Sequence, residues 1–491
     1  MGAIQKQGLI NTIIVYVGVI IGFCSQILIQ PHYLRPEELG LSRIMINYAS
    51  LLTPFLLLGA SSMSVRFFPA FKDKDVRHHG FFGFMLLFPL AGMLVGGTIL
   101  WALRPWIESR YQAESGLFVH YLSWGFPLAA IMTLSIALNS YCNSLVKTVV
   151  PSLLNDVWVR VLLIAVIFAH AFGWLSLDGF VAGIFITYLT QTLFLLLYIF
   201  RIDRPGIKID WAFFARTGMR PVVQFSLLMT LTALSSLSLK FLDSVMIGAY
   251  LPLEFVGIYS IAVFIAQFIE TPLYSLERVA AVKIAHAFQT GNMEEVKIIY
   301  YRSVKYLFLL GGLLAVGIVC NIHDFLRLLP ETYRGAANVT IIISIGAVFN
   351  MATGVNSPII TNSPRYIWNM YFLLILLATS VCFNLLLIPK FGMEGAAIAT
   401  GSASLLFNLM KFLFIRKTFS MQPYDSQTLR IVVAIALSFA AGWWLPMPGN
   451  VWAALFLRSS VIVLVYGTVT LLLRIVPEYH NLLLRLLPKK R

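Results

Sequence analysis

The chain has 491 residues, 59% of them hydrophobic and only 12% charged, and a formal net charge of +15. Soluble globular chains carry about 25% charged residues, so this composition excludes a water-soluble fold and points to the bilayer as solvent. The basic excess sits in alternate loops, which excludes a nucleic-acid patch as its explanation.

Apolar stretches able to cross about 30 Å of hydrocarbon fall near 8–30, 40–62, 80–102, 116–139, 151–170, 178–200, 221–249, 254–276, 298–320, 336–358, 366–388, 394–416, 428–446 and 451–475. An all-α polytopic membrane protein of about fourteen helices is therefore expected. The first stretch is too long for a signal-peptide core and lacks a small-residue cleavage site, so it reads as a retained span. One set of loops holds Lys6, Arg66, Lys72, Lys74, Arg77, Lys147, Arg201, Arg204, Lys208, Arg216, Arg220, Arg278, Lys283, Lys297, Arg302, Lys305, Arg365, Arg416, Lys417 and Arg430. The tail Arg485, Lys489, Lys490 and Arg491 continues that set, and could touch anionic headgroups. The other set holds only Arg35, Arg104, Arg110, Arg327, Arg334 and Lys390. Positive loops face the cytoplasm, which puts both termini there. Short loops leave no room for an extramembrane domain.

A phrase recurs along this succession. YLRPEELGLSRI at 33–44 returns as YLPLEFVGIYSI at 250–261, an offset of 250 − 33 = 217. RFFPAF at 66–71 faces KIAHAF at 283–288, and Asn139-Ser140 faces Asn356-Ser357, both again at 217. Asp178-Gly179 faces Glu394-Gly395 at 216. The offset spans six helices, an even number, so both copies enter from the same side. Such a parallel repeat has its axis along the membrane normal and places a substrate site between its halves. Alternating access is thereby favoured over a duplicated channel subunit or a scaffold. The expected organisation is an N-terminal six-helix lobe (1–200), a cytoplasmic linker (201–220), a C-terminal six-helix lobe (221–417), two extra helices (428–475) and a basic tail (476–491).

Charges inside apolar helices are costly and default to functional candidates. The second helix carries Arg43; the fifth, Asp156 and Arg160; the seventh, Lys240 and Asp243. Glu270 lies near the cytoplasmic end of the eighth, Lys411 near that of the twelfth, and Arg458 in the fourteenth. The bland alternatives are i,i+4 or i,i+3 neutralisation for Asp156–Arg160 and Lys240–Asp243, snorkelling near an interface for Arg43, Glu270 and Lys411, and bracing of the last pair for Arg458. The functional reading is a hydrated cavity with fixed cations. Arginine suits phosphate because its planar fork donates in pairs, Lys240 would act as a compact charge, and Asp243 or Asp156 could hold a coupling proton or sodium ion.

Enzymatic chemistry finds no foothold. There is no GxxxxGK[ST] loop for a nucleotide. His78-His79 has no metal-ligand spacing and reads as a solvated loop, and Cys24, Cys142, Cys320 and Cys382 read as apolar packing residues. No cofactor, metal or catalytic residue is expected.

YLRPEELGLSRI, DSVMIGAYLPLEFVGIYSIAVFIAQ and NLLLIPKFGMEGAAIATGSAS together resemble the polysaccharide transporter, or O-antigen flippase, branch of the multidrug/oligosaccharidyl-lipid/polysaccharide flippase superfamily, over about residues 1–420. The third stretch is the most specific, with Asn384, Pro389, Gly392, Gly395 and the small run 396–400 in order. These motifs, with Gly40 and Gly257, are turns and close-packing positions. The resemblance implies a V-shaped pair of six-helix lobes that flips polyprenyl-pyrophosphate-linked oligosaccharide across a bacterial inner membrane, with no enzymatic activity. It implies cations facing the cargo, hence Arg43, Lys240 and Arg160 as substrate-binding candidates. Helices 1, 2, 7 and 8 usually line such cavities, which favours the first two. It leaves Asp243, Asp156 and Glu270 as coupling-ion or salt-bridge candidates. A monomer is expected, with a polysaccharide polymerase and glycosyltransferases of the same pathway as possible partners.

Two departures qualify the resemblance. The repeat mate of Asp243 is Gln26, so the lobes differ electrostatically. Helices 13 and 14 are common in lipid II flippases, yet the Arg-rich first loop of that branch is replaced by QPHYLRPEELG. The alternatives are a lipid II flippase, a multidrug/cation antiporter of the same fold, and a membrane glycan polymerase or ligase.

Overall fold

The computed structural model describes residues 2–73, 77–217, 219–445 and 448–475, without the side chains of 2–6, 8, 9, 215–217, 219 and 235–239. Lys74, the basic tail 476–491 and the side chains of Lys6 and Arg216 thus fall outside what is described. Among the described residues every regular element is helical. That follows from the solvent: in hydrocarbon each backbone N–H and C=O must be paired inside its own segment, which a helix does. Among the described residues, ten helices are long and apolar enough to cross a membrane, or up to twelve when each of two bent pairs counts as one span. The chain is a multi-pass membrane protein.

The chain forms two compact units, residues 1–258 and 259–491. The first begins with α1 (Gly2–Phe23), a π-helical turn (Cys24–Ile29) and α2 (Gln30–Tyr33). Then come α3 (Pro36–Leu57) and α4 (Ala60–Phe71), bent by 41° where Leu58 and Gly59 turn left-handed. A short turn at Arg77–Gly80 leads to α5 (Phe81–Tyr111) and α6 (Gly116–Ser144). After α7 (Val149–Leu153) a second π-helical turn (Leu154–Trp158) precedes α8 (Val159–Ala171) and α9 (Leu177–Ile202). The linker carries α10 (Trp211–Thr217) and leads into α11 (Met219–Tyr250) and the start of α12 (Leu253–Gln267). α11 packs along α3 in antiparallel sense: Gly40 meets the Leu253 carbonyl, Gly248 meets Ile44, and Gly59 meets the Ser226 carbonyl. The core of this unit is aromatic, with Phe68, Phe71, Phe81, Phe82, Tyr141 and Phe214 buried together.

The second unit continues α12 into α13 (Thr271–Gln289) across a 53° bend. α14 (Met293–Leu326) starts at Asn292, whose side chain accepts the Glu295 N–H at 3.2 Å, an N-cap with two acidic residues in its first turn. α15 (Ala336–Ala352) and the short α16 (Asn356–Asn362) precede α17 (Ile367–Phe419). This 53-residue run is two expected spans joined at Gly392, whose φ 61° and ψ −140° suit only glycine. Pro389 lies just before the break, and Gly395 just after it, where a Cβ would stand 2.2 Å from the Leu387 carbonyl oxygen. The motif IPKFGMEG is therefore a hairpin between helices, as its turn and packing residues predict.

The last pair, α18 (Ser426–Trp444) and α19 (Val451–Leu472), packs on α14. Arg458 braces it, donating to the Asp324 carboxylate at 2.6 Å and the Cys320 carbonyl at 2.7 Å.

Candidate functional site

In the first unit the site grows from the two π-helical turns. A π turn adds a residue to the helix, widens it and re-aims the side chains around it, and such turns concentrate at functional positions. α1 packs on the Leu154–Trp158 turn. Gly18 lies so close to Asp156 that a Cβ there would be 2.8 Å from its carbonyl oxygen. Arg160, one turn beyond, donates to the Gly18 carbonyl, and Asp156 feels its charge. Across from it, Arg43 of α3 donates to the Gln30 side-chain oxygen at 2.5 Å, and Gln30 donates to Ser25 in the Cys24–Ile29 turn at 3.1 Å. Tyr188 of α9 stands within electrostatic reach of both guanidinium groups. Beside it, Gln191 donates to Asn155 and Trp158 donates to Thr190 at 3.3 Å.

Arg43 and Arg160, 117 positions apart in sequence (160 − 43), thus share Tyr188 as an electrostatic neighbour. Both residues are half-buried; Arg43 donates to a side-chain amide and Arg160 to a backbone carbonyl, with the Asp156 carboxylate within electrostatic reach of Arg160. Guanidinium groups held in this way suit a phosphate or sugar acid. On α11, Asp243 is buried at 6% exposure whereas Lys240 is exposed. Given the antiparallel register with α3, Asp243 lies roughly 8 Å along the helix from the residues level with Arg43, taking 1.5 Å per residue. Gln30 and Tyr188 carry no charge, so the search for intramembrane charges passes over them. Gln30 did have one signal, a polar residue beside Pro31 within an apolar run.

The second unit holds a separate polar network on the bent span. Glu270 sits at the break between α12 and α13. Its carboxylate accepts from Asn350 of α15 at 2.8 Å and from the Tyr274 hydroxyl at 2.7 Å. Asn408 of α17 donates to the Asn350 oxygen at 3.1 Å and accepts from Thr353 at 3.2 Å. One turn further, Lys411 donates to Ser357 at 3.0 Å and lies 3.9 Å over the Phe407 ring. Lys411 is only 2% exposed, so it does not snorkel; its electrostatic partners are Glu277 first and Glu270 second. Glu277, on α13, was absent from the sequence-derived candidates. With Glu270, Glu277 and Lys411 all ionised, this network would carry one negative charge in excess, which a single bound cation would neutralise.

The fold around these sites is similar to that of solved transporters. The MatE family model matches residues 229–386. No curated protein matches the sequence. Among solved structures, the lipid II flippase MurJ in an inward closed conformation superposes with a TM-score of 0.75 at 14% identity, covering 97% of this chain and 100% of its own. An inward-facing multidrug resistance MATE family transporter of the MOP superfamily gives 0.64 at 14% identity, over 84% of this chain and 98% of its own. A MOP superfamily transporter from Pyrococcus furiosus, described as having a binding pocket of reverse polarity, gives 0.56 at 16% identity, over 85% and 95%.

This chain has the MurJ and MATE transporter fold. The MurJ match spans nearly the whole chain, whereas the MATE matches cover about 84–85% of it.

Proposed function

We propose that the protein is a flippase that moves polyprenyl-pyrophosphate-linked oligosaccharide from the cytoplasmic to the outer leaflet by alternating access, in a bacterial inner membrane with both termini cytoplasmic. The observation that carries this reading is the pairing of Arg43 and Arg160 about Tyr188 in the first unit. Two fixed arginines in one membrane-embedded polar patch complement a pyrophosphate and would repel an organic cation, which speaks against drug-cation export. Lys240 and Asp243 of α11 remain candidates for cargo and for a coupling ion, respectively. The excess negative charge around Glu270, Glu277 and Lys411 suits a coupling proton or sodium ion, because neutralising it at the bend of α12–α13 would change what holds the bend.

A lipid II flippase is the second reading. It is favoured by the near-complete superposition on MurJ, which reaches over the last helix pair. The two share a lipid pyrophosphate and differ in glycan. Purified protein in sealed liposomes, given fluorescent undecaprenyl-pyrophosphate oligosaccharide, lipid II or an organic cation in separate arms, distinguishes them. Translocation of the oligosaccharide with little of the other two is the expected result. Elongation of the glycan without translocation would instead identify a polymerase.

A further inference from the structure

The pair His78-His79 reads in the sequence as a solvated loop, and the structure corrects this. His78 is 2% exposed, because three separated segments close over it. The turn that presents it is unusual: Arg77, His78, His79 and Gly80 all have positive φ, between 50° and 71°. Non-glycine residues avoid that region, so contacts must hold the turn. They come from the linker. A Cβ on Gly80 would stand 2.1 Å from the Lys208 carbonyl oxygen, and one on Gly83 equally close to that of Ile207. The Asp210 N–H donates to the His79 carbonyl at 3.1 Å. Phe213 stacks on His79 at 3.7 Å, and Phe214 stacks between Phe71 and Phe84.

The hydrogen bonds at His78 fix its protonation. The backbone N–H of Asp73 donates to Nδ1 at 3.0 Å, so Nδ1 must carry a lone pair. The ring proton is then on Nε2, which donates to Asp203 Oδ1 at 3.0 Å at the end of α9. Asp203 Oδ2 in turn accepts from Tyr141 of α6 at 2.6 Å. A second proton on His78 would set N–H against N–H at Asp73. An ordinary His–Asp pair tightens when the ring is protonated; this one has a donor in the way.

We propose that His78 is a clasp that docks the linker on the first unit only while its ring is neutral, and that protonation of the ring releases the linker. The groups facing His78 are Asp203 and Tyr141, the Asp73 backbone, and the Phe68 ring at 5.1 Å. Its described chain neighbours Arg77 and His79 flank it. Asp210 is held below the usual carboxylate range, first by the Phe213 backbone N–H and then by the His79 ring, so it stays ionised between pH 5 and 8. His79 faces that carboxylate at 3.2 Å. The docked state offers Nδ1 a donor, the Asp73 N–H, and no acceptor, so a second proton on the ring is expected to weaken docking.

The test is amide hydrogen exchange of the full chain in lipid nanodiscs at about pH 8 and about pH 5.5, with rates corrected for pH and α14 as internal reference. Protection of residues 203–217 is expected to fall on the order of tenfold at the lower pH, with α14 unchanged. In His78→Gln, whose amide can both accept from Asp73 and donate to Asp203, the step is expected to vanish. In His79→Gln it should persist. Equal protection of the wild-type linker at both values would overturn the proposal, as would an undiminished step in His78→Gln. No cargo is present, so the result stands apart from the flippase reading.

Discussion

Gly40 and Gly257, 217 residues apart, pack reciprocally. A Cβ on Gly40 would lie 1.8 Å from the carbonyl oxygen of Leu253, and one on Gly257 would lie 2.6 Å from that of Pro36. Leu253 is itself the 217-shifted mate of Pro36 (253 − 217 = 36). Each copy of the phrase therefore presents its glycine to the other copy's helix start, as a local two-fold requires. Replacing either glycine with alanine forces two backbones apart. Gly40→Ala is expected to cost about 1–3 kcal/mol and Gly257→Ala less, because its nearest oxygen is farther away. Thermal unfolding of the purified variants in detergent checks both; an unchanged midpoint in Gly40→Ala would contradict the close approach.

That contact shows how the repeat could be read without coordinates. Glycine at a close approach is needed by the backbone, so it survives in both copies, and the offset keeps its register. The break at Gly392 was legible for the same reason. Polar partnerships were not. Shifted back by 217, Glu270, Glu277 and Lys411 fall on Thr53, Ala60 and Phe194, so the repeat gives no warning of the charged network. Its members come from α12–α13, α15, α16 and α17, and only the fold brings them together. His78 is a like case: it reads as a loop residue because the groups burying it lie on α6, α9 and the linker. Arg43 and Arg160 stood out as intramembrane charges, but their neighbours Gln30 and Tyr188 did not, since neutral polar residues are tolerated in helices for many reasons.

If Arg43 and Arg160 hold a pyrophosphate, their loss should act on cargo and not on folding. Arg43→Ala and Arg160→Ala are each expected to slow translocation of fluorescent lipid-linked oligosaccharide by roughly 10–100-fold, the range of a lost charge-assisted hydrogen bond. Arg43→Lys should not restore the rate, because an ammonium lacks the planar fork. Tyr188→Phe should have a smaller effect in the same direction. Initial rates in liposomes, normalised to reconstituted protein, decide. Normal rates in both alanine variants would remove these residues from the cargo site.

The hairpin at Gly392 is a second backbone test. Alanine cannot adopt φ 61°, ψ −140° without strain. Gly392→Ala is expected to lower the yield of folded protein in membranes and to reduce thermal stability by about 1–3 kcal/mol. Size-exclusion profiles and melting of the purified variant report it. Gly401, where a Cβ meets open space, is the matched control and should tolerate alanine.

Lys411 tests the charge balance of the second unit. Removing it leaves Glu270 and Glu277 facing each other in a desolvated network, and breaking a buried pair costs about 3–5 kcal/mol. Lys411→Met is therefore expected to be strongly destabilising. Glu277→Gln in the same chain lowers the surplus from two negative charges to one, so the double variant should regain part of the loss. The coupling between the two positions, measured as the failure of additivity in a double-mutant cycle, should exceed about 1 kcal/mol. Sodium or acidification should raise the melting temperature of wild type, which carries one surplus negative charge, and have less effect on Glu277→Gln, which is neutral in the cluster. If sodium stabilises at fixed pH the neutralising cation is sodium; if only protons do, it is the proton. Additive single variants, with no cation response in wild type, would make the network a static brace for the bend and would return the coupling role to Asp243 or Asp156.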